Sequence, residues 1–535
     1  MPPETPLELI IAGTRLTFEE AVRVAREPAV RVRLAPAAKQ RLDEVRRFVE
    51  EHWLAEGPDG ARPIYGFNTG VGALKGFRVP TERIDDFQRH YVRAHCVGVG
   101  PDLPDETVRA ALLLRANSLA SGFSGVRSEL VEALLVLLNA RIHPKVPAVG
   151  SLGASGDLAP LAHVGAVLIG EPDARVAWPG GEGTVADLLE TGIDWRPIGF
   201  AAKEAMALTN GTSFMLALAI LLLEDARRCL RSADLAAALS LEAMQGEIAA
   251  FDGRLVSLRP QPGQQVSAAN VRDLVEGSGL LGNHPSADPR VQDAYSLRCV
   301  PQVHGASRDA LRFLAEVVDQ ELNAVTDNPL LIPEGDHYCA LSGGNFHGQP
   351  LAFALDLAGL ALAELGSISE RRLFRLLTSH LSYGLPENLT GGDPGLNTGY
   401  MIVQYTAAAL VAENKILCRP ASCDSIPSSG DQEDHVSLGV HAGRKAESIL
   451  RNVEQVLGME CLGACQGIDL AVRRLGRAAR PGRGTAAAHR ALRESGIEPL
   501  GEDRYLKPEI DASIDAVRSG ALLRCVSVEG IELRD

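Results

Sequence analysis

The sequence predicts a mainly α-helical fold, a bundle of long helices with a smaller mixed N-terminal region. Hydrophobic residues make up 46% of the 535 positions but aromatic residues only 4%, so alanine and leucine supply most of the core. No low-complexity linker interrupts the first ~470 residues, which favours one interlocked helical body. We expect three consecutive regions, an N-terminal region over 1–208, a central bundle over 209–476 and a C-terminal helical piece over 477–535.

Two stretches repeat apolar side chains at the i, i+3, i+4, i+7 spacing of a buried helix face. The first stretch follows Pro350 and contains Leu351, Leu355, Leu362 and Leu365. The second contains Ala446, Ile449, Leu450, Val453, Val456 and Leu457. Because both repeats extend over several turns, they predict long core helices.

The net charge and the cysteine pattern limit which partners the protein can have. A formal net charge of −15 disfavours nucleic acid and anionic membranes. The longest apolar run, 214–223, is too short for a bilayer, which needs about 20 residues. The nine cysteines are scattered, and Cys461 and Cys465 lack the second half of a zinc site, so we expect no metal. With no basic or apolar leader at the N-terminus, we expect a soluble cytoplasmic protein.

The N-terminal region should mix strands and helices. Short strands are predicted over 7–12 and 30–34, separated by a helix that Thr17 and Glu20 open as a capping box. A second helix is predicted over 36–53 because proline suits a first helical turn.

Further along, helical patterns dominate. We expect helix over 104–138 and a long helix opened by residues 210–212, broken by the Pro-, Arg- and Gly-rich stretch 256–265. The basic stretch 473–493 is interpreted as a solvated helix end and linker before a small C-terminal helical piece.

A glycine-rich loop over 65–72 contains Tyr65 and Phe67. Three glycines in these eight residues exclude a helix and indicate unusual backbone angles or a close approach. A plain surface turn fits poorly with two aromatic side chains in the loop.

The run 150–161, Gly-Ser-Leu-Gly-Ala-Ser-Gly-Asp-Leu-Ala-Pro-Leu, allows several interpretations. It could be a turn that caps the following helix, or an anion-binding turn, although it lacks the Lys-Ser/Thr ending of a phosphate loop. A serine-hydrolase elbow needs glycine where Asp157 stands. Alternatively, the nitrogen of Gly156 attacks the carbonyl of Ala154, and loss of water that includes the Ser155 hydroxyl leaves an electrophilic methylidene-imidazolone ring.

Residues 150–163 resemble the signature of the aromatic amino acid ammonia-lyases and aminomutases, which build this ring from Ala-Ser-Gly. The resemblance covers roughly residues 9–524, with several motifs in the family's order, and is strongest to the histidine-acting bacterial members. It implies a prosthetic group formed from Ala154, Ser155 and Gly156, with no metal or dissociable cofactor. It also implies a homotetramer of packed long helices in which several subunits build each active site.

The resemblance assigns roles to further residues. Residues 65–72 are similar to the family's Tyr-Gly-x-Asn-Thr-Gly-x-Gly loop, which implies that Tyr65 is the catalytic base. The other implied site residues are Asn210 and Gln292 as hydrogen-bonding groups, Tyr295 at the amino group, Arg298 at the substrate carboxylate and Phe346 beside the prosthetic ring. Taken singly, each of these residues has a plainer interpretation as a cap, a surface amide, an ion-paired arginine or a core aromatic.

Substrate choice is expected to rest on His95 and Glu433. His95 matches the histidine of the family's selectivity segment, although Ala94 and Cys96-Val97 depart from the usual Ser-His-Ala-Ala pattern. Glu433, which follows Gln432, stands at the position where phenylalanine- and tyrosine-acting members commonly carry an amide. A carboxylate can accept from an imidazole N–H, so the resemblance favours ammonia elimination from L-histidine to give urocanate.

Several alternatives stay open at this point. Residues 380–386 and 392–395 look similar to tyrosine-acting lyases and aminomutases, so a tyrosine or phenylalanine lyase or an aminomutase is the second hypothesis. A serine hydrolase that uses Ser155 and a helical scaffold without activity are the remaining classes.

Overall fold

The computed structural model describes residues 8–54, 63–281, 290–476 and 479–535. Residue 7 of the predicted first strand, the N-terminal leader region and the predicted boundary at 477 lie outside these residues. In chain order the helices are α1 Phe18–Arg26, α2 Pro36–Val49, α3 Ile84–His95, α4 Asp105–Ala120, α5 Ser128–Ala140, α6 Leu158–Leu168, α7 Val185–Glu190, α8 Glu204–Thr209, α9 Ser213–Ala243, α10 Gly253–Ser257, α11 Pro262–Leu274, α12 Tyr295–Arg298, α13 Val300–Glu321, α14 Gln349–Leu377, α15 Met401–Leu417, α16 Gly439–Leu475, α17 Arg483–Glu494, α18 Lys507–Arg518 and α19 Ala521–Val528.

The strands are short. In chain order they are β1 Glu8–Ile11, β2 Arg31–Leu34, β3 Val99–Asp102, β4 His143–Pro144, β5 Pro147–Val149, β6 Arg175–Trp178, β7 Gly181–Thr184, β8 Leu330–Glu334 and β9 His337–Leu341. They form a parallel pair β1-β2, antiparallel pairs β3-β5 and β8-β9, and an antiparallel sheet β4-β6-β7. The predicted mainly α-helical class is therefore confirmed.

The chain forms two compact units. The first unit comprises residues 1–221, 315–355 and 420–444 and carries all the described strands. The second unit comprises residues 222–314, 356–419 and 445–535, and its described residues are helices and connecting turns. The division into three consecutive regions stays a prediction.

The N-terminal predictions hold in detail. The side chain of Thr17 accepts from the backbone N–H of Glu20 at 3.2 Å, and the Glu20 carboxylate accepts from the backbone N–H of Thr17 at 3.0 Å. This capping box opens α1 between the two predicted strands, which pair in parallel as β1 and β2. The predicted helix from Pro36 ends as α-helix at Val49 and continues as a π-helical turn to Leu54.

The two predicted core helices are α14 and α16. Leu351, Leu355, Leu362 and Leu365 are fully buried, and so are the six apolar side chains predicted for the core between 446 and 457. The 3.6-residue spacing alone identified these positions, because a long core helix buries the same face over many turns.

The predicted helix break at 256–265 is confirmed for residues 258–261, which separate α10 from α11, but the long helix itself ends earlier. Helix α9 ends at Ala243, followed by Gln245 with a φ of +50°, and α11 begins at Pro262. Proline lacks an N–H that a first turn does not need, so at this position it starts a helix. In the basic stretch 473–493, the second half forms α17.

Within the described residues, two helical segments are long and apolar enough to cross a membrane by length and composition. They are Glu204–Ala243 and Gln349–Leu377, and their apolar windows are 100% and 67% buried inside the protein. Burial of this extent is typical of the core helices of a large helical domain.

Candidate active site

A cavity of about 900 Å³ lies in the first unit. Its lining brings together seven of the predicted site residues, which are Tyr65, His95, Ala154, Ser155, Asn210, Phe346 and Glu433. These residues come from the 65–75 loop, the end of α3, the loop before α6, the end of α8, and the segments before α14 and α16. Segments far apart in the sequence therefore converge on one concave surface.

Three predicted site residues belong to the second unit. Gln292 precedes α12, and Tyr295 and Arg298 lie on it, so none of them lines the cavity of the first unit. Tyr295 is 71% exposed, and the guanidinium of Arg298 lies 4.6 Å from the centre of its ring. Their roles toward the substrate stay predictions.

The Ala-Ser-Gly loop has a tightly bent backbone. Gly153 and Gly156 have φ values of +71° and +73°, in the left-handed region that favours glycine. A Cβ atom on Gly156 would overlap the backbone of Gly211, so the loop and the residues before α9 touch directly. Ala154 and Ser155 face the cavity from this bend.

Asp157 anchors the loop. Its fully buried carboxylate accepts from the backbone N–H groups of Phe214 and Met215, at 2.8 and 3.0 Å, in the first turn of α9. It also accepts from the Ser151 hydroxyl at 2.9 Å, while its own N–H donates to the carbonyl of Gly211 at 2.8 Å. Burial raises the pKa of Asp157 to about 6, although these donors oppose the shift.

Tyr65 lies in the predicted glycine-rich loop and is half-buried. Its phenolic oxygen accepts from the backbone N–H of Gly72 at 3.1 Å. Burial raises the pKa of Tyr65 and the charge of Glu433 raises it further, whereas the Gly72 N–H lowers it. The loop thus provides one stabilising donor for a phenolate.

The 428–433 segment connects to the Tyr65 loop. The Ser429 hydroxyl accepts from the backbone N–H of Ala73 at 3.2 Å, and the ammonium of Lys75 donates to the side-chain oxygen of Gln432. The Glu433 carboxylate is 3.4 Å from the Ser428 hydroxyl, which donates to it. These contacts place Tyr65 and Glu433 on the same cavity wall.

A buried ion pair holds Asn210. The ammonium of Lys203 lies 2.9 and 3.0 Å from the two carboxylate oxygens of Asp327, and both side chains are essentially inaccessible. The amide nitrogen of Asn210 donates to Asp327 at 3.3 Å and to the carbonyl of Asn328 at 3.3 Å. Its amide oxygen is buried and makes no hydrogen bond among the described residues, so it is available to a group in the site.

Sequence reasoning missed Asp157 as an anchor, the Lys203–Asp327 pair, Lys75 and Tyr91. The pair joins residues 124 positions apart, so no local spacing could reveal it. Tyr91 could have been found, because it lies four residues before His95 on the same helix face.

No group of three or more histidine, cysteine, aspartate or glutamate side chains in the described ranges is arranged to hold a metal ion. The nine cysteines, all in described segments, are free thiols.

A sequence profile of the aromatic amino acid lyase family matches residues 16–494. Histidine ammonia-lyase of Chloroflexus aurantiacus is 48% identical over 526 residues, which cover 97% of this chain and 98% of that protein. Histidine ammonia-lyase of Caldanaerobacter subterraneus is 46% identical over 526 residues, 98% of this chain and 99% of that protein.

Two solved structures share the fold over nearly the whole chain. A tyrosine aminomutase from Streptomyces globisporus superposes with a TM-score of 0.90 at 37% identity, covering 99% of this chain and 100% of that one. Histidine ammonia-lyase from Trypanosoma cruzi superposes with a TM-score of 0.86 at 36% identity, covering 98% and 96%.

We predict that Gly156→Ala destabilises the protein more than Gly192→Ala. Both glycines have a φ near +75°, but a Cβ at Gly192 meets open space, whereas one at Gly156 overlaps Gly211. The control should cost about 1–2 kcal/mol for the left-handed backbone, and Gly156→Ala about 1–3 kcal/mol more for the overlap. Urea unfolding of both variants measures the difference; equal losses would show that the loop does not press against Gly211.

Proposed function

The chain belongs to the aromatic amino acid lyase family, and we propose that it eliminates ammonia from L-histidine to give urocanate. The observation that carries the proposal is the cavity that brings Ala154 and Ser155 together with Tyr65, His95 and Glu433. Relatives of 46–48% identity over nearly the whole chain are histidine ammonia-lyases, which supports the same activity.

The polar groups of the cavity favour an imidazole over a phenyl ring. His95 and Glu433 can hydrogen-bond to ring nitrogens, whereas a phenyl ring would leave both groups desolvated without a partner. A tyrosine aminomutase or lyase activity is the second candidate, since a tyrosine aminomutase shares the fold with a TM-score of 0.90. Residues 380–386, which carry the tyrosine-type resemblance, belong to the second unit and do not line the cavity.

The residues of the loop fit a methylidene-imidazolone formed from Ala154, Ser155 and Gly156. Gly156 has the left-handed backbone that glycine readily adopts, and the buried amide oxygen of Asn210 has no partner among the described residues. Asp157 and Asn210 would hold the group in place. When formed, it supplies an electrophile for the substrate amino nitrogen, so no metal or dissociable cofactor is needed.

Tyr65 is the proposed general base for the β-proton of the substrate. Its phenolate can take the proton, and the Gly72 N–H stabilises the phenolate charge before the transfer. Glu433 would bind the side-chain ring and Phe346 would pack beside the prosthetic group. The chain's own residues thus orient the substrate and move the proton.

We also propose that a second copy of the chain supplies Gln292, Tyr295 and Arg298. The planar fork of Arg298 suits the substrate carboxylate, but α12 belongs to the second unit and Tyr295 is exposed. A site completed by another subunit reconciles these placements with the roles that the resemblance implies.

The surface of the second unit supports assembly. Helix α15 exposes Ile402, Tyr405 and Ile416, and α14 exposes Leu360 and Phe374. The three side chains on α15 are 3, 11 and 14 residues apart and the two on α14 are 14 apart. These separations are close to whole helical turns, so each set shares one helix face, as in helices that pack against other helices. We therefore propose a homotetramer of packed long helices. A cytoplasmic location, predicted from the scattered cysteines, is part of the same proposal.

The substrate is tested by incubating the purified protein separately with L-histidine, L-tyrosine and L-phenylalanine and following ultraviolet absorbance. We expect urocanate from L-histidine alone. Ser155→Ala should abolish this activity. The intact mass of the wild type, but not of the variant, should be lowered by the two water molecules that ring formation releases. Cinnamate or coumarate as the main product would overturn the histidine assignment, and an unreduced wild-type mass would overturn the prosthetic group.

The role of Tyr65 predicts a pH dependence. Because burial and Glu433 raise the pKa of Tyr65, the phenolate fraction grows about tenfold per pH unit below that pKa. We expect kcat/KM to rise with pH in the wild type. Tyr65→Phe should lower it by about 10²–10⁴ and remove the part of the slope due to the phenol. Glu433→Gln serves as a control that should shift the rise to lower pH; identical profiles for wild type and Tyr65→Phe would exclude this base.

Shared sites predict complementation between inactive variants. Tyr65→Phe and Arg298→Ala should each be inactive alone, since each removes one side of every site. Co-expressed and co-purified with different tags, they should recover roughly a quarter of the wild-type rate, because random mixing leaves that share of sites intact. If one chain built its own site, no mixed oligomer would contain an intact site and no activity would return.

A further inference from the structure

We propose that Tyr91 is a positioning residue whose ring holds the imidazole of His95 against its backbone hydrogen bond, so that the Nε2 atom accepts from a ring N–H of the substrate. This inference rests on the proposed function and adds the property by which the site selects among nitrogen heterocycles. Both side chains line the cavity.

A hydrogen bond to the backbone identifies the tautomer of His95. The Nδ1 atom of His95 lies 2.7 Å from the carbonyl oxygen of Tyr91. A carbonyl oxygen only accepts, so Nδ1 must carry the proton. In the neutral imidazole the other nitrogen, Nε2, is then bare and can only accept.

The ring of Tyr91 orients the imidazole of His95. The rings of Tyr91 and His95 are stacked, with centroids 4.0 Å apart and planes inclined by 21°. Stacking of this kind stabilises the pair beyond the effect of burial alone. Because the stack and the Nδ1 hydrogen bond act together, turning the imidazole over would lose the hydrogen bond.

Tyr91 is itself anchored by a hydrogen bond to Thr209. Its hydroxyl lies 3.2 Å from the hydroxyl oxygen of Thr209. Thr209 donates its only proton to the carbonyls of the preceding helical turn, Ala205 at 3.1 Å and Met206 at 3.3 Å. With the Thr209 proton on a carbonyl, Tyr91 donates its own proton to Thr209. Burial raises the pKa of Tyr91, so its hydroxyl keeps the proton that this bond needs.

These contacts decide what the cavity offers to a substrate ring. His95 presents an acceptor, and the ionised carboxylate of Glu433 is also an acceptor. A neutral imidazole can donate its one N–H to one of these acceptors and an imidazolium can donate to both, whereas a phenyl ring donates to neither. Methylation of the ring nitrogen that faces His95 places a methyl group against Nε2, whereas methylation of the other ring nitrogen leaves the facing nitrogen unsubstituted and able to donate when the ring is protonated. The site should therefore discriminate between the two ring-N-methyl isomers of L-histidine.

The kinetic experiment uses Tyr91→Phe, Tyr91→Leu and the surface control Tyr505→Leu in the full-length protein. Tyr91→Phe keeps the stack and loses the bond to Thr209; Tyr91→Leu loses both. We expect Tyr91→Leu to raise KM for L-histidine about tenfold, the equivalent of one hydrogen bond, with kcat changed less than about threefold. Tyr91→Phe should restore most of the affinity, and Tyr505→Leu should match the wild type.

The selectivity ratio separates positioning from a structural role. Wild type should use L-histidine and reject one N-methyl isomer. In Tyr91→Leu the backbone carbonyl of residue 91 remains but the stack is lost, so the imidazole is held less firmly, and the ratio of kcat/KM for histidine to that for this isomer should fall. A purely structural effect would lower both values equally and leave the ratio unchanged, which would overturn the proposal. Equal use of both isomers by the wild type would overturn it as well.

The tautomer has a readout besides activity. Nitrogen NMR of protein labelled at histidine, with the His95 signals assigned by their absence in His95→Gln, should show Nδ1 protonated and Nε2 bare. The opposite tautomer in the wild type would overturn the inference. A wild type that produces no urocanate would instead contradict the proposed function, while the NMR result would still decide the tautomer.

Discussion

The buried carboxylate of Asp157 is the interaction on which the site depends. It joins the Ala-Ser-Gly loop to the free N–H groups of the first turn of α9, which otherwise need a partner inside the protein. The positive end of a long helix favours the charge, and burial opposes it. Since Asp157 directly follows Gly156, this bond determines where the reactive tripeptide lies relative to Gly211 and Asn210.

Around this anchor the site is built from buried polar contacts between distant segments. The Lys203–Asp327 pair holds the amide of Asn210 on one side, and the contact of Ala73 with Ser429 joins two loops on another. Ion pairs buried this deeply contribute little net stability, but removal of one partner is costly. They therefore serve chiefly to hold polar groups in one arrangement.

The proposed base and the proposed ring-binding group act against each other. The charge of Glu433 that would attract an imidazole N–H also raises the pKa of Tyr65, and the Gly72 N–H compensates only in part. In the proposed site, His95 would contribute to ring recognition through its Nε2 atom, whose direction depends on the hydrogen bond to the backbone of Tyr91 and on the stack with the Tyr91 ring.

The sequence by itself determined the helical class, the long core faces of α14 and α16, the capping box at Thr17 and the segments that line the cavity. These follow from local periodicity and from motifs whose residues are neighbours in the chain. Only the tertiary structure decided that Asp157 caps α9, that Lys203 pairs with Asp327 and that Arg298 lies in a different unit from Tyr65. Contacts between residues tens to hundreds of positions apart depend on how helices pack, and no local pattern records them.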